Sequence, residues 1–554
     1  MMAMLVACIG MMPKSSQGAT IVVDPSVKYQ KFEGFGTSLC WWSELAGSWS
    51  EANRNKLIGA IVDPDTGLGY NCFRYNIGGG DQSSHTHLAG ERAVPGFKTT
   101  EAGAYDWNAD PNQRNILLGI AARNPSAIFE AFSNSPPWWM TISGCVSGNT
   151  NGADNLKPAY FTKFAEYLTD VAAHYKSAWG ITFRTVEPFN EPSAGWWKVN
   201  GTQEGCGFKS QQPAMVKELG KQLVAKGLFP TTKVSAGDES SIASAVSTIK
   251  TYDDSAFSFM SQINSHSYDG WSSRGALYAQ AQTHSKNLWQ SESGPLNKGS
   301  DASDITMWMS NVIIQDLRNM KPNAWVDWQL SDPSANWSTI QTTQSSQTFK
   351  YNGRYYMHAA FSRFLRPGSQ FIQSSDTNSV AALVPGSGDL VVVLRNATSA
   401  NIAYTVDLSK FSATVNAAKV YRFSLPGSLV KQPDVAISNK QVPFTAPSLT
   451  ITTIVVPGAA TSISDSRGFN GFGEKGLQIR QLHGERITLD LSSQEAYVLE
   501  LFDGHGKRVV SARRTAAESN GILDLGPWNL ANGLYVARLI QGDRVISGNI
   551  AIAR

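Results

Sequence analysis

Apolar residues along this chain follow two regimes, which change over near residue 366. From about Phe32 to Leu365, short strand-like runs alternate with longer runs at helical spacing. The clearest helix is KPAYFTKFAEYLTDVAAHYKSAW, where Phe161, Phe164, Leu168, Val171 and Tyr175 recur at three- and four-residue steps and share one face. NQRNILLGIAARN, PAMVKELGKQLVAKG and SDITMWMSNVIIQDLRN also read as helices. The strand-like runs are FEGFGTSLCWW, NCFRYNIGG, AIFEAFSNSPPWW, GITFRTVEPFN, KVSAGDES, FMSQINSHSY, NLWQSESG and AWVDWQL. Eight β-then-α units predict a (β/α)8 TIM barrel with insertions over residues 32–366.

Residues 367–457 read differently. SVAALVP, DLVVVLRN, AYTVDLS, AKVYRFSL and SLTITTIVVP are short strands separated by turn residues, with no helical period, which predicts a β-sandwich attached to the barrel. The strand over residues 20–31 has no place in a barrel and is expected to join that sandwich. A Gly/Ser-rich linker (458–475) leads to a small C-terminal all-β module (476–554) without a catalytic constellation. Residues 1–19 read as a signal peptide: Ala3 to Met12 are apolar, and Gln17-Gly18-Ala19 supply small residues for cleavage. The protein is therefore expected to be secreted or held at the cell surface.

Totals narrow the function. A length of 554 residues exceeds what one core organises, so several domains are required. A net charge of +3, with 16% charged residues, lacks the basic footprint of a nucleic-acid binder. No apolar run approaches the ~20 residues of a membrane span. Fifteen of the sixteen tryptophans lie at or before Trp337, so aromatic surface is concentrated in the barrel half. Of five cysteines, Cys8 falls in the leader and Cys72 reads as a buried thiol. Cys145 and Cys206 lie in Gly/Ser/Asn-rich loops, where a disulfide would suit an exported protein; the sequence leaves that pairing open.

Polar and aromatic residues gather at the C-terminal ends of the predicted barrel strands: Asn76, Asn134 with Trp138, Asn190 with Glu191, His266 with Tyr268, Glu292, and Trp328 with Gln329. In a (β/α)8 barrel these ends open on one face, where active sites sit. Glycosidic cleavage needs two carboxyl groups flanking one bond, one protonated and one ionised. Glu191 and Glu292 are acids at strand ends on well-separated strands. Glu187, four residues before Glu191, is expected deeper in the barrel as a supporting group.

FEGFGTSLCWW, FRYNIGGGD, SNSPPWWM, PFNEPSAGWW, NSHSYDGW and QSESGP, in this order, resemble glycoside hydrolase family 30 over about residues 20–457. GTSLCWW and PFNEP…WW look most like its endo-β-1,6-galactanase branch. The resemblance implies that Glu191 is the acid/base, Glu292 the nucleophile and Asn190 a group at the sugar 2-OH, in a retaining double displacement. A negative Glu292 nearby would favour a protonated Glu191 by raising its pKa. Arg74, Asn76, Asn134, His266 and Tyr268 are candidates for holding the nucleophile or sugar hydroxyls. Trp138, Trp196, Trp197 and Trp328 are candidates for stacking on sugar faces.

Asp81 is expected to cap a loop or touch substrate. His85 and His87 form an H-x-H pair read as a substrate-facing or solvated loop rather than a metal site. No metal or cofactor is called for, and the expected partner is a polysaccharide substrate of a monomeric protein. The alternatives are the same machinery on another β-glycan (β-1,6-glucan, xylan, or a fucosyl or xylosyl glycan) and a non-catalytic carbohydrate-binding barrel. VDWQLSDPSANWS carries no Arg or Lys to grip an acidic xylan branch. The last module resembles the sorting domains of type IX secretion, chiefly in NGLYVARLIQGDRVISGNIAIAR; a carbohydrate-binding module is its other reading.

Overall fold

A computed structural model describes residues 18–296, 302–332, 336–413 and 415–459, and the strands and turns of a second unit beyond residue 471. The two compact units are Met1–Thr461 and Ser462–Arg554. All but the last two positions of the expected signal peptide, and most of the expected linker, lie outside the described residues.

In the first unit, β1 (Ala19–Lys31) stands apart from the barrel. The next eight strands close on themselves in chain order: β2 (Gly34–Ser38), β3 (Cys72–Asn76), β4 (Ile128–Phe132), β5 (Thr185–Glu187), β6 (Lys233–Ser241), β7 (Met260–Asp269), β8 (Asn287–Ser293) and β9 (Ala324–Asp327). Six fall within the predicted runs, β6 and β7 each extend one residue past theirs, and the pairings around the barrel are parallel. At Gly36 on β2 a Cβ would stand 1.6 Å from the Cys72 carbonyl oxygen, so only glycine fits between these strands.

Side chains alternate across each strand, and the barrel uses the alternation to separate two chemistries. Phe73 and Tyr75 of β3, Phe129 and Ala131 of β4, and Ile263 of β7 join the apolar layer under the helices. Arg74, Glu130, Asn264 and His266 face the other way, buried and polar. Towards the strand N-termini the interior is plugged by Cys72, Ile128, Trp289, Ala324 and Val326, so Cys72 is a buried thiol as expected. The helix Phe161–Trp179 buries Phe164, Leu168, Val171 and Tyr175 and ends at Gly180, whose φ of 69° is the left-handed cap that glycine adopts. Its first turn is less buried, and Phe161 meets Phe208 instead, with ring centroids 5.4 Å apart.

The attached sheet has nine strands, with β1 inside it. β1 pairs antiparallel with Gln370–Ser374 and parallel with Ile402–Asp407, bending through register shifts on the way. Val406 and Phe444, near one end of the sheet, share a core with Val392, Val420 and Ile454, so the sheet folds over as a sandwich. In the strand Leu390–Asn396, Leu390, Val392 and Leu394 enter that core, while Val391 and Val393 join the barrel's apolar layer. Burial on both faces is why this strand reads as an unbroken apolar run.

In the second unit, the strands Tyr497–Phe502, Arg508–Arg514, Gly533–Gln541 and Arg544–Ile552 form one antiparallel sheet. Leu499, Leu501, Ala537 and Leu539 centre its core, and Trp528 packs against it.

Leu394 is fully buried in the sandwich, whereas Val430 is 50% exposed on an outer strand. Leu394→Ala is expected to cost about 2–5 kcal/mol and Val430→Ala less than about 0.5 kcal/mol. The midpoints of urea denaturation of the two variants check this.

Candidate active site

Arg74 projects from the middle of β3 into the barrel, where it has no access to solvent. Its Nε donates to Glu130 Oε1 of β4 (3.0 Å), its Nη2 to Asp238 Oδ2 of β6 (2.5 Å), and its Nη1 to the Ser291 carbonyl of β8 (3.2 Å). Nη1 also lies 3.7 Å from Glu292 Oε2. Burial alone would weaken the guanidinium's hold on its proton, but Asp238, Glu130 and Glu292 outweigh it, and its pKa is raised. Burial likewise opposes ionisation of Asp238, yet Arg74, His266 and Ser291 hold its carboxyl well below the usual range.

Glu292 reaches this centre through an irregularity in β8. Ser265 of β7 pairs with Gln290, but the next residue, His266, pairs with Glu292, leaving Ser291 as an extra residue. This bulge aims two consecutive side chains inward. Ser291 Oγ donates to Asp238 Oδ1 (2.6 Å), and Glu292 Oε1 accepts from the Tyr268 hydroxyl (3.0 Å). Glu191 lies four residues beyond the end of β5 with φ +49°, a backbone region that non-glycine residues seldom occupy. Its N–H donates to the Asp238 carbonyl (2.8 Å), its carbonyl accepts from Trp197 Nε1 (2.9 Å), and its Oε2 accepts from Trp196 Nε1 (3.1 Å).

The two carboxyls meet over His266. Its Nδ1 lies 3.3 Å from Glu191 Oε1 and 3.4 Å from Glu292 Oε1, while Nε2 lies 3.4 Å from Asp238 Oδ1. These are charge contacts rather than well-aligned hydrogen bonds, and neither ring nitrogen has a closer acceptor. Burial would lower the imidazole's pKa; the negative Glu292 and Asp238 overcome it and hold it at about 10, so the ring is a cation at neutral pH. One oxygen each of Glu191 and Glu292 and a nitrogen of His266 all lie within 4.8 Å of one another. Burial, with Glu191 adding to it, pushes the Glu292 carboxyl up to about 7, against the pull of His266 and Arg74. Glu187 is fully buried below them, accepting from Asn264 (3.2 Å), and burial raises its pKa well above the usual carboxylate range.

A cavity of about 880 Å³ opens above the pair, and Asn134, Asn190, Glu191, Trp196, Trp197, Tyr268, Glu292 and Trp328 line it. Arg74 and His266 lie beneath it. Two further predicted contacts are not on its wall. Asn76 is fully buried, its Oδ1 taken by the Asn134 N–H at 3.4 Å. Trp138 turns away to donate to the Thr99 carbonyl at 2.9 Å and packs on the barrel core. Trp197 is 3% exposed and lies so close to Gly205 that a Cβ there would come within 2.0 Å of its ring, so it is more wall than platform. Sequence reasoning missed Trp41, Arg92, Gln203 and Trp337 on the cavity wall, and Asp238 and Glu130 beneath it. An acid closing the strand KVSAGDES was a usable signal for Asp238, as was an acid within the apolar run AIFEAF for Glu130.

Two questions that the sequence leaves open in the loops are answered by the structure. Cys145 and Cys206 are free thiols: Cys145 Sγ faces His87 Nε2 (3.2 Å) and Ser147 Oγ (3.1 Å), while Cys206 Sγ is engaged with the Gly207 carbonyl (3.4 Å). The H-x-H loop does not line the cavity. His85 Nδ1 and His87 Nε2 both contact Asp81 Oδ2, at 3.1 and 2.8 Å.

A (β/α)8 barrel with two facing carboxyls at its mouth, above a buried cationic centre, is the frame of a glycoside hydrolase. The sequence model of O-glycosyl hydrolase family 30 matches residues 18–285. An endo-β-1,6-galactanase of Hypocrea rufa is 34% identical over 429 residues, spanning 73% of this chain and 87% of that protein. An exo-β-1,6-galactobiohydrolase of Bifidobacterium longum subsp. longum is 24% identical over 539 residues, 71% of this chain but 35% of that longer protein. Among solved structures, a conserved exported protein from Bacteroides fragilis shares the fold with a TM-score of 0.69 at 19% identity, covering 79% of this chain and 100% of its own. The chain belongs to O-glycosyl hydrolase family 30.

His266 is a cation up to about pH 10, whereas a free imidazole titrates near 6.5. Its ion pairs therefore stabilise the fold fully below pH 6.5 and fade as the pH rises through about 10. In thermal midpoints measured across that window, the wild type is expected to lose stability on the alkaline side, and His266→Gln to lose this part of the slope.

Proposed function

We propose that the chain is a secreted retaining endo-glycosidase that hydrolyses β-1,6-galactan, such as the side chains of arabinogalactan. The observation that carries the mechanism is the approach of the two carboxyls, with oxygens within 4.8 Å. Retaining enzymes hold their carboxyls about 5–5.5 Å apart, and inverting ones about 6.5–9.5 Å apart to admit a water. The substrate rests on the 34% identity to an endo-β-1,6-galactanase along most of that protein's length.

In this reading the pair shares one proton. Tyr268 and Arg74 favour an ionised Glu292, and the double displacement requires the proton on Glu191. Glu292 attacks the anomeric carbon as its bond to the leaving oxygen breaks, and that oxygen takes the proton from Glu191. The product is a glycosyl ester on Glu292 and a carboxylate at Glu191. Glu191 then removes a proton from water; the water oxygen attacks the anomeric carbon, and the ester bond breaks to restore Glu292. Asn190 on the cavity wall is the group proposed for the 2-OH. Trp196, 55% exposed, and Trp328 offer faces for neighbouring sugars.

Arabinofuranosidase-trimmed arabinogalactan, β-1,6-glucan and glucuronoxylan are incubated in parallel, with products read by mass spectrometry and anomers by NMR. Short β-1,6-galacto-oligosaccharides with retained anomeric configuration, from the first substrate alone, are expected. Release from another glycan would keep the chemistry and replace the substrate; inverted products would overturn the double displacement. Glu292→Gln is expected to abolish turnover while oligosaccharide binding survives. Glu191→Gln should slow hydrolysis by roughly 10²–10⁴-fold, and much less for aryl glycosides whose leaving group needs no proton.

The pH profile supplies a separate check. The two carboxyls titrate as a unit, and the rise of Glu292 to about 7 marks where the pair gives up its one proton, so kcat/KM falls along that limb. His266, as a cation, lowers the Glu292 pKa, so His266→Gln should move the limb to higher pH as well as lowering the maximum. A limb that stays in place would separate the imidazole from the pair's titration.

A further inference from the structure

The loops around the cavity hold a second cluster of donor atoms that the glycosidase chemistry does not use. Asp81, His85, His87 and Cys145 each present one ligand atom, and these four atoms lie within 4.8 Å of one another. His87 Nε2 is 2.8 Å from Asp81 Oδ2 and 3.2 Å from Cys145 Sγ; His85 Nδ1 is 3.1 Å from the same carboxylate oxygen.

The hydrogen bonding around His87 fixes what it offers. Its Nδ1 is 2.6 Å from the Gly201 carbonyl oxygen, which only accepts, so Nδ1 carries a proton. In the neutral ring Nε2 is then a bare lone pair, aimed at a carboxylate oxygen and a sulfur. A proton on the thiol or on the ring would bridge one of these contacts, whereas a metal ion would bridge all of them at once. A backbone carbonyl holding the far nitrogen of a ligating imidazole is also the usual outer support of a metal site. Cys145 is 1% exposed, with Ser147 Oγ 3.1 Å from its sulfur, while the Asp81 carboxylate is oriented by the Val146 N–H at 3.4 Å.

We propose that Asp81, His85, His87 and Cys145 bind one Zn²⁺ as a closed structural site. One thiolate, two imidazoles and one carboxylate form a borderline-soft set that suits zinc and excludes magnesium and calcium, which take oxygen ligands. With Zn–N of about 2.0–2.1 Å and Zn–S of about 2.3 Å, neighbouring ligand atoms of a tetrahedron stand roughly 3.3–3.6 Å apart. The 2.8–3.2 Å contacts need only a slight opening to reach this. The His85 side chain, 27% exposed, marks the side from which the ion enters.

The ion joins two loops and, through His87, braces a third. Asp81, His85 and His87 belong to the insert after β3, Cys145 to the segment after β4, and Gly201 to the segment after β5. The last of these also carries Trp196, Trp197 and Gln203 on the cavity wall, and the first carries Arg92. Ala89 N–H to the Thr202 carbonyl (3.0 Å) and Ser147 Oγ to the Lys198 carbonyl (2.9 Å) already stitch them. Zinc at the junction sets the wall against which sugars are placed.

The test uses the full chain, reduced with a phosphine, equilibrated with zinc chloride and desalted before elemental analysis by mass spectrometry. About one zinc per chain is expected for the wild type, and a loss of at least tenfold in Cys145→Ser and in His87→Gln, with unchanged far-ultraviolet circular dichroism. Cobalt loading should give a thiolate-to-metal charge-transfer band that Cys145→Ser removes, and zinc should raise the thermal midpoint of the wild type but of neither variant. A wild-type chain that retains no zinc overturns the proposal and leaves a hydrogen-bonded His–Asp knot. So does zinc that persists in Cys145→Ser and disappears in Glu292→Gln, which would place the ion on the carboxyl pair.

Discussion

The buried ion pairing of Arg74 is the contact on which the rest of the site depends. Stripping water from a guanidinium costs several kcal/mol, and the interior recovers this only if its donors find acceptors in good geometry. Glu130, Asp238 and the Ser291 carbonyl supply them from three different strands. The strands must therefore close in one register, since a slip of one residue would turn Arg74 into the apolar layer that Phe73 and Tyr75 occupy. The same pairing fixes the chemistry. Asp238, kept ionised by Arg74, lies 3.4 Å from His266, and His266 in turn faces both carboxyls.

What could be read from the sequence follows from how local each signal is. The eight barrel strands and the change to a β-sandwich were visible because alternation and helical spacing are written within ten to twenty residues. Glu191 and Glu292 were visible because each ends its own strand run. The β8 bulge at Ser291 was not, because a bulge is defined by its partner strand rather than by its own residues. Asp238 and Glu130 were overlooked for a related reason: a buried acid is explained by the cation it meets, and Arg74 lies 164 and 56 residues away from them. Asn76 and Trp138 were overcounted because a strand-end position brings a side chain near the barrel mouth without deciding which way it turns. Whether Cys145 pairs with Cys206 stays open from sequence alone, because its near neighbour is an imidazole from another loop.

The cavity is built from parts of unequal rigidity. Its floor is made of barrel strands, while much of its wall comes from loops with little regular structure, including the segments that carry Arg92, Trp196 and Gln203. Aromatic contacts stiffen the rim: Trp41 meets Trp328 edge to face at 5.0 Å, and the Arg92 guanidinium covers the Trp41 ring at 4.7 Å. The Trp196 indole joins wall to floor by donating to Glu191. In the proposed reaction a polymer gripped at several sugars would draw binding energy from the wall and react on the floor, so any loss of registry between them would reach the reacting atoms.

His266 matters most when the charge of the pair moves. In the proposed double displacement the negative charge begins on Glu292, passes to Glu191 while Glu292 is esterified, and returns with hydrolysis. The pair thus carries one negative charge throughout, but at two places. His266 Nδ1 is nearly equidistant from both, 3.3 Å from Glu191 and 3.4 Å from Glu292, so one fixed cation serves each state without moving. Arg74 is less symmetric, approaching Glu292 and not Glu191, and it stands in place through bonds to Glu130 and Asp238 that the reaction leaves untouched. A preorganised centre of this kind needs no reorientation as charge shifts, and in a water-excluded barrel that is where electrostatic stabilisation of a transition state is strongest.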